Sequence, residues 1–548
     1  MTAGFPLRAD GDRAQRPGSR PLPRGTLSAV LLLAFFSAAV PLLLVVDVPD
    51  IGRSLAWTLT IGVAVWAGAR LSFAIVSGQA RLFDFFFWLF AYIFMGLAPT
   101  VQIRSGLLST TTPGMSPDLD VPAALVVCAG LLCYEAGRAL AILRERSLRA
   151  RQNGALPNER AGQRVLGVNR GRTLLLLAIG VVFSAYFVQR IGVGTLLSSR
   201  DTVFAARQAA WPDPAVRSVM YALAIYPLLI GIGALAVLRR GSDRSRGFPL
   251  AVLLGATALL LVVVNPVSSV RYSLGTVWFA LVVYAGAMLT VRRRRTLLGA
   301  AIAGLIFVFP LADAFRRVTV DVSWDGFFGE YKSSPDYDAF WQIANALSFV
   351  HDGLVVPGRQ ALGTLFFWVP RALWADKPVD TGILLADYSG YPFANLSAPL
   401  WAEALVNGGL IVVVAAFAGL GALLRRFDTR LVPAFGQNGL WAIAGAIFPI
   451  YLLILLRGSL LQASGTVAVA IACLLFVAQR PERPDEARLR PSAGDLRLAD
   501  RLPAARPRLA GRPSEAPGRS TPSRSARSRP AVPPRPSPGE APDPPGGV

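Results

Sequence analysis

The side chains best suited to chemistry are concentrated in one polar stretch, residues 313–399, which lies between two apolar runs. It contains the single histidine of the protein, His351, and both of its lysines. Arg371, Asp376 and Lys377 follow one another closely late in this stretch. Arginine and lysine bind anionic oxygen atoms, and a carboxylate or an imidazole can accept a proton from a hydroxyl group. We therefore expect any chemistry of this protein to take place in this stretch.

Residue spacing excludes several common kinds of site. One histidine, together with three cysteines that all fall inside apolar runs, cannot supply a zinc site of the HExxH or CxxC kind. Neither lysine ends a GxxxxGK phosphate-binding loop. The Asp-x-Asp matches at 118–120 and 336–338 are typical of ordinary loops. The sequence therefore predicts no metal and no cofactor.

The rest of the chain is strongly apolar and must hold this stretch in place. Hydrophobic residues make up 53% of the sequence, and apolar runs long enough to cross a bilayer as helices recur along it. The sequence predicts an all-α integral membrane protein with about 12 transmembrane helices and a large, partly helical extracytoplasmic loop. The predicted helices cover residues 26–46, 54–69, 82–99, 121–143, 173–189, 218–238, 248–264, 272–291, 296–312, 400–424, 438–456 and 463–478.

The positions of the basic residues predict the orientation of these helices. With the N-terminus in the cytoplasm, the cytoplasmic segments before the C-terminal tail carry 26 Lys and Arg residues, and the external segments carry 14. Cytoplasmic loops of membrane proteins are enriched in basic residues. This places both termini in the cytoplasm and residues 313–399 outside. The net charge of +22 follows the same pattern, so no nucleic-acid partner is expected.

Composition divides the chain into three regions. Residues 1–25 are polar and Arg-rich, and we predict a disordered cytoplasmic tail. Residues 26–478 form the polytopic membrane domain, which includes the loop at 313–399. Residues 479–548 are rich in Pro, Arg and Ser and have little apolar surface, which predicts a second disordered cytoplasmic tail.

The loop itself has the pattern of a folded segment. Ser334-Pro335-Asp336 is a typical helix start, and apolar residues at helical spacing follow it as far as His351. A second apolar stretch, residues 361–373, is too short to span a bilayer and contains Pro370. We expect this second stretch to lie at the membrane surface or to pack across the helix bundle.

Four stretches of sequence carry a resemblance to a known family. They are VPRALWADKP at 369–378, NPVSSVRY at 265–272, PLWAEALVNGG at 399–409 and the pair Arg457-Gly458. In this order, over about residues 170–478, they resemble the O-antigen (Wzy-type) oligosaccharide repeat-unit polymerases. The resemblance implies a glycosyltransferase of the bacterial plasma (inner) membrane that joins undecaprenyl-diphosphate-linked oligosaccharide repeat units into a surface polysaccharide. It implies membrane lipids as surroundings, a flippase and a chain-length regulator as protein partners, and no nucleotide sugar or required metal.

The resemblance also implies roles for individual residues. The donor leaves as a lipid-linked diphosphate, so the site must stabilise negative charge beside the bilayer. Arg271, Arg371, Lys377 and Arg457 are predicted at the external surface and are the candidates for diphosphate binding. The alternative is that they are basic side chains extending from span ends into water.

A hydroxyl acceptor needs a base near the attacked carbon, and several residues qualify. The candidates are His351, Asp352, Asp376 and Glu403. Asp376 has an alternative role as the ion-pair partner of Lys377 or Arg371, and a lone histidine at a helix end is often a cap or a surface residue.

Two other functions remain open on the sequence. A flippase or exporter of lipid-linked oligosaccharides would handle the same lipid, and a ligase would transfer the glycan to another acceptor. Few ionisable residues fall inside the predicted spans, and two of them, Glu135 and Arg138, are spaced to pair on one helix face. Transporters coupled to ions usually place such residues deep in the bundle, which makes the transport hypothesis weaker.

Overall fold

The computed structural model describes residues 24–152, 166–241, 247–308, 327–394, 396–437 and 439–479. The predicted tails, apart from their few residues next to the membrane domain, and the first part of the predicted loop lie outside these residues. The described chain is almost entirely helical. The first helices are α1 (Arg24–Ala34), α2 (Val40–Asp47), α3 (Ala56–Ser77), α4 (Leu82–Phe90), α5 (Ala98–Ser105), α6 (Asp120–Gln152) and α7 (Arg170–Ile191).

The remaining helices follow in chain order. They are α8 (Val193–Leu196), α9 (Arg200–Ala210), α10 (Pro214–Gly241), α11 (Gly247–Val263), α12 (Arg271–Val282), α13 (Val291–Ala303), α14 (Gly329–Ser333), α15 (Ala339–His351), α16 (Arg359–Leu365), α17 (Thr381–Ser389), α18 (Leu400–Gln437), α19 (Leu440–Arg457) and α20 (Leu460–Val477). Single π-turns connect α1 to α2 and α4 to α5 and extend α12 and α13. Two short strands, β1 (Gly167–Val168) and β2 (Ala478–Gln479), pair in antiparallel register.

Nine helices in the described part of the chain are long and apolar enough to cross a membrane. They cover Leu27–Asp47, Ala56–Ser77, Leu82–Ser105, Pro117–Arg151, Arg170–Ile191, Val216–Arg240, Leu400–Gly436, Leu440–Arg457 and Leu460–Val477. The chain is therefore an all-α, multi-pass membrane protein, as the sequence predicts. The other three predicted spans coincide with the shorter helices α11, α12 and α13, so the count of twelve remains a prediction.

Contacts between distant parts of the chain define two ends of the helix bundle. At the strand end, β1 pairs with β2, and the amide of Leu440 donates to the carbonyl of Leu166 at 2.9 Å. At the loop end, Asp336 contacts both Arg271 and Arg457. Long helices such as α18 connect one end to the other.

The pair α6 and α18 packs closely because small residues line its interface. A Cβ atom added to Gly137 would lie 1.9 Å from the carbonyl oxygen of Ala418, and one added to Gly421 would lie 2.0 Å from that of Tyr134. Only glycine fits such a backbone approach, which is typical of helix pairs in membranes. This contact holds α18, which carries site residues at its first turns.

Helix α4 lies in the centre of the bundle and is buried on all sides. The carboxylate of Asp428, on α18, accepts from the amides of Phe83 and Asp84 at 3.0 Å each and so caps the start of α4. The predicted pair of Glu135 and Arg138 is confirmed at 2.9 Å. Arg70 joins it, 2.9 Å from Glu135 and 3.2 Å from Asp84.

The described part of the loop, residues 327–394 and 396–399, is folded onto the loop end. Ser334 caps a separate 3-10 turn at Pro335–Tyr337, and α15 begins at Ala339, later than the predicted start at Ser334. The predicted helix and its end near His351 are confirmed. The predicted second apolar stretch forms the short helix α16 and the turns after it. Most of α15 is buried among the membrane helices, so the loop is part of the core and not a slack connector.

Candidate functional site

Arg371 and Lys377 lie in the turns between α16 and α17, and each donates hydrogen bonds to backbone carbonyls of this same segment. The ammonium of Lys377 donates to the carbonyl oxygens of Phe367 at 2.6 Å and Val369 at 2.9 Å. The guanidinium of Arg371 donates to the carbonyl of Lys377 at 2.9 Å and to that of Pro378 at 3.5 Å. These four bonds bring the two cations, six residues apart in sequence, to one side of the segment.

A pocket of about 360 Å³ opens beside these two cations. Arg359, from the start of α16, also lines it, and so do Asp376 and Gln360. One guanidinium nitrogen of Arg359 donates to the carbonyl oxygen of Asp376 at 2.9 Å and lies 4.0 Å from its carboxylate. Three cations and one carboxylate leave a net positive charge in the pocket lining. Its remaining walls are largely apolar, including Phe349, Leu354, Val356, Leu384 and Val406.

The charges in this pocket affect one another. Partial burial and the neighbouring guanidinium of Arg371 lower the pKa of the Lys377 ammonium. A pKa shift in this direction means that burial and the charge of Arg371 disfavour the positive charge of Lys377 itself. An anion bound between the two side chains would remove this repulsion, because it would be attracted by both.

A break in helix α18 positions the pocket wall that carries Arg359 and Gln360. Gly409 adopts a left-handed conformation, with φ of +66°, and the helix is interrupted there. Asn407, just before the break, accepts the amide of Gly358 on its carbonyl and the amide of Ala361 on its side chain, both at 2.9 Å. The start of α16 is thus fixed to α18, and the sequence Asn-Gly-Gly provides the required backbone freedom.

Glu403, on the first turn of α18, is buried, with 3% of its surface exposed. Its carboxylate accepts from the hydroxyl of Thr381 at 2.9 Å and from the amide of Leu460, the first residue of α20, at 3.0 Å. Glu403 does not line the pocket, although Val406, one turn further along α18, does. Through these two hydrogen bonds Glu403 joins α17, α18 and α20, outside the pocket lining.

Arg271 and Arg457 lie in a second cluster, around Asp336 and Asp338. Arg271 is 2.6 Å from the carboxylate of Asp336, and Arg457 lies 3.5 Å from Asp336 and 3.7 Å from Asp338. Asp338 is buried and accepts from both the amide, at 3.0 Å, and the hydroxyl of Ser397. Burial raises the pKa of the Asp338 carboxyl, and the charge of Arg457 opposes this shift. The second Asp-x-Asp match is therefore an anchor for two arginines.

The four predicted diphosphate-binding cations thus fall into two pairs. Arg371 and Lys377 line the pocket, whereas Arg271 and Arg457 share the carboxylate of Asp336. Of the four candidate bases, only Asp376 lines the pocket. His351 is the exposed last residue of α15, and Asp352 accepts a hydrogen bond from the hydroxyl of Tyr388 at 2.6 Å.

The sequence predicts no role for Arg359, Gln360, Asn407 or Asp338, although Asp338 lies in an Asp-x-Asp match and Asn407 lies in the stretch 399–409. Arg359 lies in the predicted loop and follows a glycine, which is a weak signal for a helix start. Gln360 carries no charge and matches no motif, so only the fold identifies it. Asn407 lies in one of the four stretches that carry the resemblance, but only the fold shows its contacts with the start of α16. Within the described residues, no group of three or more His, Cys, Asp or Glu side chains is arranged to hold a metal ion.

Comparison with family models, with curated proteins and with solved structures found no match to this chain.

Proposed function

We propose that the protein polymerises lipid-diphosphate-linked oligosaccharide repeat units at the outer face of the plasma membrane. The observation that carries the proposal is the pocket lined by Arg359, Arg371 and Lys377. A diphosphate leaving group develops negative charge as its bond to the sugar breaks, and three cations at one pocket can stabilise that charge. The resemblance of residues 369–378 to the family's loop sequence supports the same conclusion.

The reaction balances without a cofactor. A hydroxyl oxygen of the acceptor glycan forms a new bond to the anomeric carbon of the donor, and the bond from that carbon to the diphosphate oxygen breaks. The lipid diphosphate leaves with the electron pair and is held by Arg371, Lys377 and Arg359. The hydroxyl proton passes to the carboxylate of Asp376, the one candidate base in the pocket lining.

Exposed apolar side chains beside the pocket support a position at the membrane surface. Leu365, Trp368 and Leu373 are 66%, 67% and 83% exposed. Apolar and tryptophan side chains in such a position insert into the boundary between headgroups and acyl chains, with basic residues at the level of the phosphates. A polyprenyl chain could thus remain in the bilayer while its diphosphate enters the pocket.

Contacts at the two bundle ends support crossings by α11 and α12 in addition to the nine longer helices of the described chain. Helix α11 ends near Asn265, whose amide donates to the carbonyl of Leu196 at the loop end at 2.9 Å. Helix α12 and its π-turn lead back from Arg271 to Tyr284, whose carbonyl accepts from Arg240. These shorter helices therefore join the same two ends as the nine longer ones. Strongly basic segments, at 144–151, 239–240, 292–295 and 425–430, gather at the strand end, as expected of a cytoplasmic face.

Thiol labelling in a variant without the three native cysteines tests this orientation. We expect a membrane-impermeant maleimide to label Asp387→Cys in intact, wall-stripped cells, because Asp387 is exposed in the loop. Ala150→Cys, an exposed position at the strand end, should react only after permeabilisation. Protection of Asp387→Cys in intact cells would contradict an external site.

An exporter function is the second candidate, and it has one observation in its favour. Arg70, Asp84, Glu135 and Arg138 form an ion-paired group among membrane helices, where charges are costly and often functional. The pairing of every member with an opposite charge fits a structural role better than the binding of a transported ion.

Deletion of the gene separates the candidate functions. Loss of a polymerase should leave surface glycan that carries single repeat units in place of long chains, as resolved by gel electrophoresis. Loss of an exporter should instead remove surface glycan and leave lipid-linked units facing the cytoplasm. Loss of a ligase should leave long chains that remain attached to the lipid.

A further inference from the structure

Gln360 has a buried side-chain oxygen that the protein does not use. The residue is 5% exposed, and its Oε1 atom has no hydrogen-bond partner among the residues that the structure describes. It is the second residue of α16, between Arg359 and Ala361, and it lines the same pocket as Arg371 and Lys377. Buried polar atoms are nearly always satisfied, so an unmatched oxygen on a residue that lines a pocket points to a ligand that supplies the missing hydrogen-bond donor.

The chemistry of the neighbouring side chains indicates which group of a ligand would donate this hydrogen bond to Gln360. Arg359, Arg371 and Lys377 are hydrogen-bond donors, and they match the acceptor oxygens of a diphosphate. The amide oxygen of Gln360 is an acceptor and gains nothing from phosphate. It matches a hydroxyl or an amide N–H group attached close to the diphosphate. The apolar wall formed by Phe349, Leu354 and Val356 can cover the C–H face of a ring that carries such a donor.

We propose that Gln360 recognises the first sugar of the donor, the one bonded to the diphosphate, through a hydroxyl or acetamido N–H group of that sugar. This assignment rests on the proposed function, since it takes the pocket to be the binding site of the lipid-linked sugar donor. The volume of about 360 Å³ is at the lower end of the range of small-molecule sites, about 300–1,000 Å³. The pocket therefore admits the diphosphate and one sugar, and the remaining sugars of the repeat unit lie outside it. Gln360 is thus a specificity-determining residue for the donor.

Binding of paired ligands to the purified full-length protein in nanodiscs tests the assignment. The probes are a short-chain polyprenyl diphosphate and the same lipid carrying one hexose or one N-acetylhexosamine on the diphosphate. We expect the wild-type protein to bind at least one sugar-bearing lipid about tenfold or more tightly than the bare diphosphate. Gln360→Met, similar in length but without the amide, should abolish this preference and should weaken binding of the sugar-bearing lipid much more than binding of the bare diphosphate.

Two further variants serve as controls. Gln79→Met, at an exposed position of the strand end, should bind all three lipids as the wild type does. Gln360→Glu retains an acceptor oxygen and adds a negative charge beside the cations. It should therefore keep the preference for the sugar while binding every lipid diphosphate more weakly. If Gln360→Met does not fold, Gln360→Glu still tests the assignment. This variant keeps an acceptor oxygen, so loss of its sugar preference would overturn the assignment.

The outcomes distinguish this inference from the function on which it rests. If the wild type binds bare and sugar-bearing lipids equally, or if Gln360→Met keeps the preference, Gln360 does not recognise the sugar. In either case the pocket would still be assigned as the binding site of the lipid diphosphate, provided that Arg371→Ala weakens binding of the bare diphosphate. If the wild-type protein binds none of the lipid diphosphates, the proposed function fails and the inference fails with it.

Discussion

Replacement of Arg371 by alanine is expected to abolish formation of long polysaccharide chains while the protein remains in the membrane at its normal abundance. Each charge-assisted hydrogen bond to a phosphate contributes about 1.5–3 kcal/mol, so the loss of two such bonds slows transfer by about 100-fold or more. Arg371→Lys keeps the charge but cannot form the planar fork, and we expect it to lose much of the activity as well. Chain length of the surface glycan and turnover of purified protein are the measurements.

The control for Arg371 is an arginine of the same end of the bundle that does not line the pocket. Arg190, an exposed residue in the last turn of α7, serves this purpose, and Arg190→Ala should make full-length polymer. Because Arg371 also donates to the carbonyls of Lys377 and Pro378, thermal unfolding of Arg371→Ala should be measured beside its activity. Full-length polymer from an equally abundant Arg371→Ala protein would show that this arginine is an ordinary surface side chain.

The second large effect is expected at Glu403, and it is an effect on stability. Alanine at this position leaves the hydroxyl of Thr381 and the amide of Leu460 without their acceptor in a buried setting. Each unsatisfied group costs about 1–3 kcal/mol, so Glu403→Ala should lower the free energy of unfolding by about 2–4 kcal/mol. A lower unfolding midpoint in detergent and reduced membrane abundance are the readouts.

Glutamine at position 403 separates a structural role from a catalytic one. Its amide group can accept from Leu460 with the oxygen and donate to the Thr381 hydroxyl with the nitrogen. We therefore expect Glu403→Gln to fold normally and to retain most of the polymerising activity. A stable Glu403→Gln protein without activity would instead assign proton transfer to Glu403 and remove that role from Asp376.

Much of the fold could be predicted from the sequence because the bilayer imposes length and polarity on each helix. The apolar runs at 26–46 and 218–238, for example, match candidate spans at Leu27–Asp47 and Val216–Arg240. The helix after Ser334 was also predictable, since Ser-Pro-Asp is a local start signal that needs no distant partner. Spans with polar ends or internal π-turns, such as α12 and its extension, are harder to recognise as apolar runs in the sequence.

The candidate site was only partly predictable, because its assembly depends on contacts between distant segments. Arg371 and Lys377 are close in sequence, and they line one pocket. The sequence could not show that Arg271 and Arg457 lie in a different cluster from Arg371 and Lys377. Their contacts with Asp336 bring together three segments that are distant in sequence. Nor does any local pattern place Gln360, whose position depends on the break after Asn407 in a different helix.

If the proposed function is correct, the protein itself forms glycosidic bonds from a lipid-linked donor, and it should do so in a reconstituted reaction. Purified protein in liposomes is incubated with lipid-linked repeat units extracted from the producing cell, without ATP and with a chelator present. The proposed function predicts a ladder of glycan chains that lengthens with time, with one lipid diphosphate released for each bond formed. Lipid-linked units that only move across the bilayer, with neither ladder nor released lipid diphosphate, would contradict it.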